Sequence, residues 1–320
     1  MLLVVLSALL GGRLLTEGDV SVDGLDGPAW VAAQVEALEA MDNVAIRTRT
    51  QASGLYDHGY AMLYERVGDH IAIPTGPRHR LWKVRAKRIV IAAGAIERPL
   101  AFANNDRPGV MLAGAVRDYI ALWGVAPGQN IVVFANNAAA YRTASAAFAA
   151  GLKVPAIVDP RLEPAGPLPD RARSLGIRIM DGSVITMAKG GKVVEGAMVG
   201  RLTAAGRIGG AVEAVKCDCI AMSGGWSPVV RLFSHCGGKL NWDDEAAMFR
   251  PAPERGAPIG PDGQINTICA GASNGCMSVA EGLEDAIEVA RAAAKDIGLK
   301  VGRKPAAAKV EEPGQGALQP

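Results

Sequence analysis

Five short apolar runs in this chain each stop at a small residue, at positions 11, 94, 135, 224 and 271. Runs of four to eight apolar residues bounded by turn signals are the pattern of strands buried on both faces, as in parallel sheets covered by helices. A strand that leaves such a sheet through glycine or alanine brings its backbone close to whatever lies above the sheet edge. The pattern therefore predicts a doubly wound α/β architecture whose ligands sit at the C-terminal ends of the strands. Over 320 residues, 39 are glycine and only 5% are aromatic, and the glycines gather in short clusters rather than at a fixed period. That distribution excludes a collagen-like chain, and 49% hydrophobic against 21% charged residues excludes disorder and coiled coil.

The clearest unit spans 130–159: a strand over 130–134, an alanine-rich helix over 138–150 and a strand over 154–158 closing on Asp159. Its length and order are those of a dinucleotide-binding half-domain. The phosphate-binding fingerprint would place glycines at Ala135, Asn137 and Ala140, and none is glycine. Asp159 stands where a carboxylate would accept hydrogen bonds from an adenosine ribose. Two readings stay open for this unit, with Asn136, Asn137 and Asp159 as its candidate residues. It is a nucleotide site, or a Rossmann-like scaffold that no longer binds one. Elsewhere we expect a strand near 3–6, a helix over 28–41, antiparallel strands over 44–50 and 60–67, a β-meander over 184–201 and a long helix from Ser278 to 297. Gly224 and Gly225, followed by Trp226 and Pro228, fit backbone brought close to a ligand or partner. Tyr56, Asp57 and His58 fit a hydrogen-bonded structural role, because no nucleophile is near them.

A net charge of +2, without segregation of charge, argues against nucleic acid as a partner. The apolar run 2–10 is less than half the roughly 20 residues that span a bilayer, which argues against a membrane anchor. Five cysteines at irregular spacing read as free thiols in a reducing cytoplasm, without a metal knuckle. The stretch from about Lys304 lacks apolar periodicity and reads as a linker or disordered tail.

Longer composite segments carry a resemblance. Tyr56 to His58, 80–88, the run from Ile91 through Gly94, Glu97, Arg98 and Pro99, the stretch 104–111, Ala140 to Arg142, and 223–228 together resemble the α subunit of heterotetrameric sarcosine oxidase. The wider group resembled includes subunits of opine oxidases, hydrogen cyanide synthase and dye-linked proline or hydroxyproline dehydrogenases. The resemblance implies two Rossmann-like FAD/NAD(P)-binding domains with β-meander excursions, the fold of the disulfide-reductase flavoproteins. The first would be 1–102 plus 217–300, lacking its N-terminal β-α unit; the second, 103–216, would be inserted; 301–320 would be the tail. Carried over residue by residue, Gly11, Gly12 and Arg13 match the glycine pair after the second strand of the first domain. Ala52 lies where backbone would approach an adenine, and Ala93, Gly94, Gly271 and Ala272 lie where strands return to the cofactor.

The departures are specific. The strand, turn and helix bearing the first G-x-G-x-x-G would precede residue 1. No acidic residue stands just before the glycine pair, and Gly271 with Ala272 replaces a Gly-Asp pair. The family's large folate-binding domain would follow residue 300. The implied cofactor is NAD or FAD, with FMN at an inter-subunit site, and the implied partner is a β-type flavin subunit that oxidises a small secondary amine such as sarcosine. No catalytic residue is assigned to this chain, since the substrate-oxidising flavin belongs to that partner. The alternatives are a subunit of another amine, opine or imino-acid dehydrogenase, and a non-catalytic truncated Rossmann scaffold.

Overall fold

The computed structural model describes residues 1–73, 75–252, 257–258 and 265–314. The chain forms two compact units, the first from Met1–Ala95 with Pro228–Glu312 and the second from Ile96–Ser227.

The second unit is built on a five-stranded parallel sheet in the order Val110–Leu112, Cys219–Ser223, Ile131–Ala135, Ile157–Val158, Ile179–Met180. The two central strands are buried at every residue. Their side chains alternate between two cores, as the period-two pleat requires. Ile131, Val133 and Ala221 face Val116, Ala144 and Ala172 on the helices Ala113–Trp123, Tyr141–Ala149 and Pro167–Ser174. Val132, Phe134 and Ile220 face Ile185, Ala197 and Val199 of an antiparallel meander. That meander, Ser183–Lys189, Gly196–Leu202 and Ile208–Lys216, has one strand more than the 184–201 expected. The alanine-rich segment divides into a 3-10 turn, Ala138–Ala140, and the helix Tyr141–Ala149.

The first unit carries two parallel strand pairs, Leu2–Val4 with Ala45–Arg47 and Ile89–Ile91 with Thr267–Cys269. Val4, Ile91 and Cys269 share one core cluster with Leu55, Leu63 and Phe233. A three-stranded meander, Thr50–Tyr56, Tyr60–Arg66 and His79–Arg85, covers that cluster. The helix Gly27–Glu39 starts at Asp26, whose carboxylate accepts from the Ala29 N–H at 2.8 Å. The helix Val279–Asp296 starts at Ser278.

Two expectations change here. The segment 44–50 is not one antiparallel strand: Arg49 turns left-handed at φ 49°, so Ala45–Arg47 joins the parallel pair and Thr50 opens the meander. Alternation looks the same in both settings, and only the turn separates them. The tail is also partly ordered. Val310–Glu311 pairs antiparallel with Ser21–Val22, and Ala308 and Val310 pack on Val20 and Val22. Two residues are too few to show a period, so composition alone reads them as linker. Among the described residues, no helix is long and apolar enough to cross a membrane.

Candidate functional site

In the first unit, three turns converge through their hydrogen bonds. Gly11 (φ 115°) and Gly12 (φ 53°) lead into the 3-10 turn Gly12–Leu15. Arg13 then reaches across, its Nη1 donating to the Met277 carbonyl at 2.7 Å and its Nε to Glu17 Oε2 at 3.1 Å. Gly94, at φ 77°, follows the strand Ile89–Ile91, and its carbonyl accepts from Ser273 Oγ at 3.2 Å. Gly271, at φ 62°, opens the 3-10 turn Gly271–Asn274 that contains Ala272. Asp285, on the helix Val279–Asp296, accepts from the Gly271 N–H at 2.7 Å and from Asn274 Nδ2 at 3.0 Å. Gly282 lies close beneath this turn, and a Cβ on it would make only an ordinary contact, 3.9 Å from Gly271 Cα.

The three left-handed glycines Gly12, Gly94 and Gly271 share a second property: nothing lies within 4 Å of where their Cβ atoms would be. Positive φ explains why they are glycine, and the space beyond leaves their backbone open to a neighbouring group. Ala93, next to Gly94, is exposed. Ala52 stands apart on the meander strand, beside a bulge, where it packs on the Leu55 and Ile91 core. Asp285 and Ser273 are the organising residues that sequence reasoning missed. The available signal was an acidic residue on a long helix about two turns beyond its capped start.

In the second unit, the strand ends are tied to one another. Asn137 is fully buried and extended at φ −143°, so it does not take the left-handed form its residue type permits. Its Nδ2 donates to Ser223 Oγ at 3.0 Å and to the Ser223 carbonyl at 3.3 Å, and also to Asn136 Oδ1 at 3.1 Å. The Ser223 hydroxyl bonds to the Glu97 carboxylate, which also accepts from the Gly114 N–H at 2.7 Å. Burial pushes Glu97 above the usual carboxylate range despite those donors. Asp159 is likewise fully buried and accepts from Tyr141 Oη (2.7 Å) and from Arg161 N–H (3.0 Å), Nε (3.0 Å) and Nη2 (2.7 Å). Burial, with the neighbouring Asp159 charge, pushes the Tyr141 phenol up.

Gly224 and Gly225 have an internal explanation. A Cβ on Gly224 would stand 2.9 Å from the Pro99 carbonyl oxygen and 3.0 Å from that of Arg98. The Gly224 N–H donates to Arg98 O at 2.7 Å and the Arg98 N–H to Gly225 O at 2.8 Å. The backbone pressed against this pair is the chain's own. All five cysteines are free, and burial pushes Cys217, Cys219 and Cys269 up to about 12. Among the described residues, no group of three or more His, Cys, Asp or Glu could hold a metal ion.

No family model matches the chain. In sequence it is similar to sarcosine oxidase subunit alpha of Rhizobium meliloti, 38% identical over 76% of this chain and 23% of the relative. It is 36% identical to the protein of that name from Corynebacterium sp. strain U-96, over 85% of this chain and 28% of the relative. The chain thus spans about a quarter of the length of these curated relatives. In structure it is similar to L-proline dehydrogenase from P. horikoshii, with TM-score 0.64 and 20% identity over 94% of this chain and 51% of that one. It is also similar to Lactococcus lactis thioredoxin reductase, with TM-score 0.63 and 19% identity over 92% and 90%. The fold is therefore the FAD/NAD(P)-binding, Rossmann-like fold of flavoprotein oxidoreductases, and the chain is a homologue of one segment of the sarcosine oxidase α subunits.

Proposed function

We propose that the first unit holds a dinucleotide, NAD or FAD, against the turns of Gly11, Gly12 and Arg13, of Ala93 and Gly94, and of Gly271 and Ala272, with Ala52 set back on the meander. The observation that carries this reading is the convergence of these turns, with Arg13 bonded to the Met277 carbonyl, Ser273 to the Gly94 carbonyl and Asp285 to the Gly271 N–H, and with Gly12, Gly94 and Gly271 open where a Cβ would stand. The residues fit the group. Bare backbone can approach a pyrophosphate closely, and the cation at these turns is the Arg13 guanidinium, one-third exposed, held by Met277 and ion-paired with the buried Glu17. A bound dinucleotide supplies hydride-transfer chemistry; this chain binds and orients it.

The finer reading rests on likeness to the sarcosine oxidase α subunits. The chain is a component of an oxidoreductase acting on CH–NH donors, working with a β-type flavin subunit, with sarcosine as substrate and FMN at the site the two subunits share. The five free cysteines fit a reducing cytoplasm.

Calorimetric titration of the purified chain with NAD, NADP, FAD and FMN tests the core of the proposal. We expect one dinucleotide per chain, and an affinity at least tenfold weaker in Arg13→Ala, equivalent to about 1.4 kcal/mol. No binding of any dinucleotide, or unchanged affinity in Arg13→Ala, overturns it. Co-expression with a β-type subunit, followed by dye reduction with sarcosine, proline and opines, tests the finer reading, which fails if no complex forms or sarcosine is not turned over.

A further inference from the structure

The second unit has the strand order, helix placement and βαβ length that imply a second dinucleotide in this fold family, and its residues do not fit one. We infer that this unit's dinucleotide site is filled from within, by the Tyr141–Asp159–Arg161 cluster and the Asn137–Ser223–Glu97 relay, and holds no nucleotide.

In a Rossmann-type half-domain the pyrophosphate lies at the turn between the first strand and its helix, and a carboxylate at the end of the second strand takes the ribose hydroxyls. Each of those positions is spent here. At the turn, Ala138, Ala139 and Ala140 are no more than 4% exposed, so their backbone is not presented to a ligand. Asn137 points inward to Ser223 rather than leaving room as a glycine would. Its Oδ1 is a buried acceptor without a partner. A pyrophosphate carries only acceptors of its own, so it could not satisfy that atom.

At the second position, a carboxylate has about four lone-pair sites, and Asp159 already meets four donors, three of them from Arg161. A ribose would have to displace a charge-assisted pair whose carboxylate is fully buried, and such pairs are among the stronger hydrogen bonds a protein makes. Over the strand ends there remains an open crevice of about 480 Å³, with Leu100, Phe102, Phe134, Asn136, Pro160 and Ile185 in its wall. Among the described residues no Lys or Arg lines it, so a bound pyrophosphate would lose water without gaining a counter-charge.

The two roles for Asp159 predict different behaviour in the nucleotide-free protein. A ribose ligand contributes nothing to stability until its ligand arrives; an internal anchor contributes at once. The experiment uses the full chain and the variants Asp159→Asn and Tyr141→Phe, with thermal melting in the absence of nucleotide and calorimetric titration with NAD and NADP. We expect Asp159→Asn to lower the melting temperature by roughly 5 °C or more and Tyr141→Phe by less, since a buried charged pair is broken in the first and only a neutral donor is lost in the second. Number and affinity of dinucleotide sites should stay within about twofold of the parent chain. A second dinucleotide per chain that is lost in either variant overturns the inference, as does an Asp159→Asn chain with unchanged melting and lost binding. If the parent chain binds no dinucleotide at all, the proposal for the first unit fails while this one stands.

Discussion

Glu97 accepts from the Gly114 N–H and the Ser223 hydroxyl, yet burial outweighs both and raises its pKa. Its proton is therefore held more tightly in the folded chain than in the unfolded one. Stability that depends on that proton is complete below the unfolded glutamate pKa, roughly 4.3, and is lost as pH rises through the raised folded value. Glu97→Gln stays uncharged throughout, so its urea midpoint should change less between pH 4 and pH 7 than that of the parent. Equal slopes for the two chains would show that Glu97 does not titrate as described. At this scale the glycines were readable from sequence and the polar residues were not. Gly94 and Gly271 stand at positive φ, which glycine takes at no steric cost and other residues take sparingly, as Arg49 and Asn104 do here, so residue type and conformation are closely linked. Asn137 and Asp159 have no such link. Their side chains can turn to a ligand or into the protein, and Ser223 and Arg161, which decide it, are brought there by the fold.

The helix Val279–Asp296 shows how elements draw on distant chain. Ser278 accepts from the Glu281 N–H at 3.2 Å and the Glu281 carboxylate answers from the Ser278 N–H at 3.2 Å, a capping box. The two amides between them are taken by Glu312, whose oxygens accept from Val279 and Ala280 N–H at 3.2 Å each. Glu312 is held in place by the strand Val310–Glu311 and by Asp23, which accepts from the Lys309 N–H at 2.8 Å. Glu312→Ala removes a capping acceptor and a negative charge from a helix N-terminus, so we expect a loss of about 1 kcal/mol in urea unfolding. A variant as stable as the parent would mean that water replaces the contact without cost. Strands buried on both faces, such as Ile131–Ala135, were readable as apolar runs, and the helix start was readable from Ser278. The strand Val310–Glu311 was not, because its evidence lies in the partner segment Ser21–Val22.

The first unit is assembled from both ends of the chain, with Ile89–Ile91 paired to Thr267–Cys269 and the whole second unit lying between them in sequence. Local patterns place each strand, but pairing over such a separation is a property of topology, and the two-unit division followed from the resemblance rather than from periodicity. The division also locates the ligand's effect. A dinucleotide that binds only the folded state stabilises what it touches, by about 2.7 kcal/mol at a hundredfold excess over Kd. If the open glycine turns hold it, hydrogen exchange measured with and without dinucleotide should slow at 11–13, 94–95 and 271–275, where backbone would be newly covered. It should stay unchanged across 131–161, where Asp159 and Asn137 already have their partners. Slowing confined to 131–161 would reverse both assignments, because the second unit would then be taking the ligand that its internal hydrogen bonds exclude.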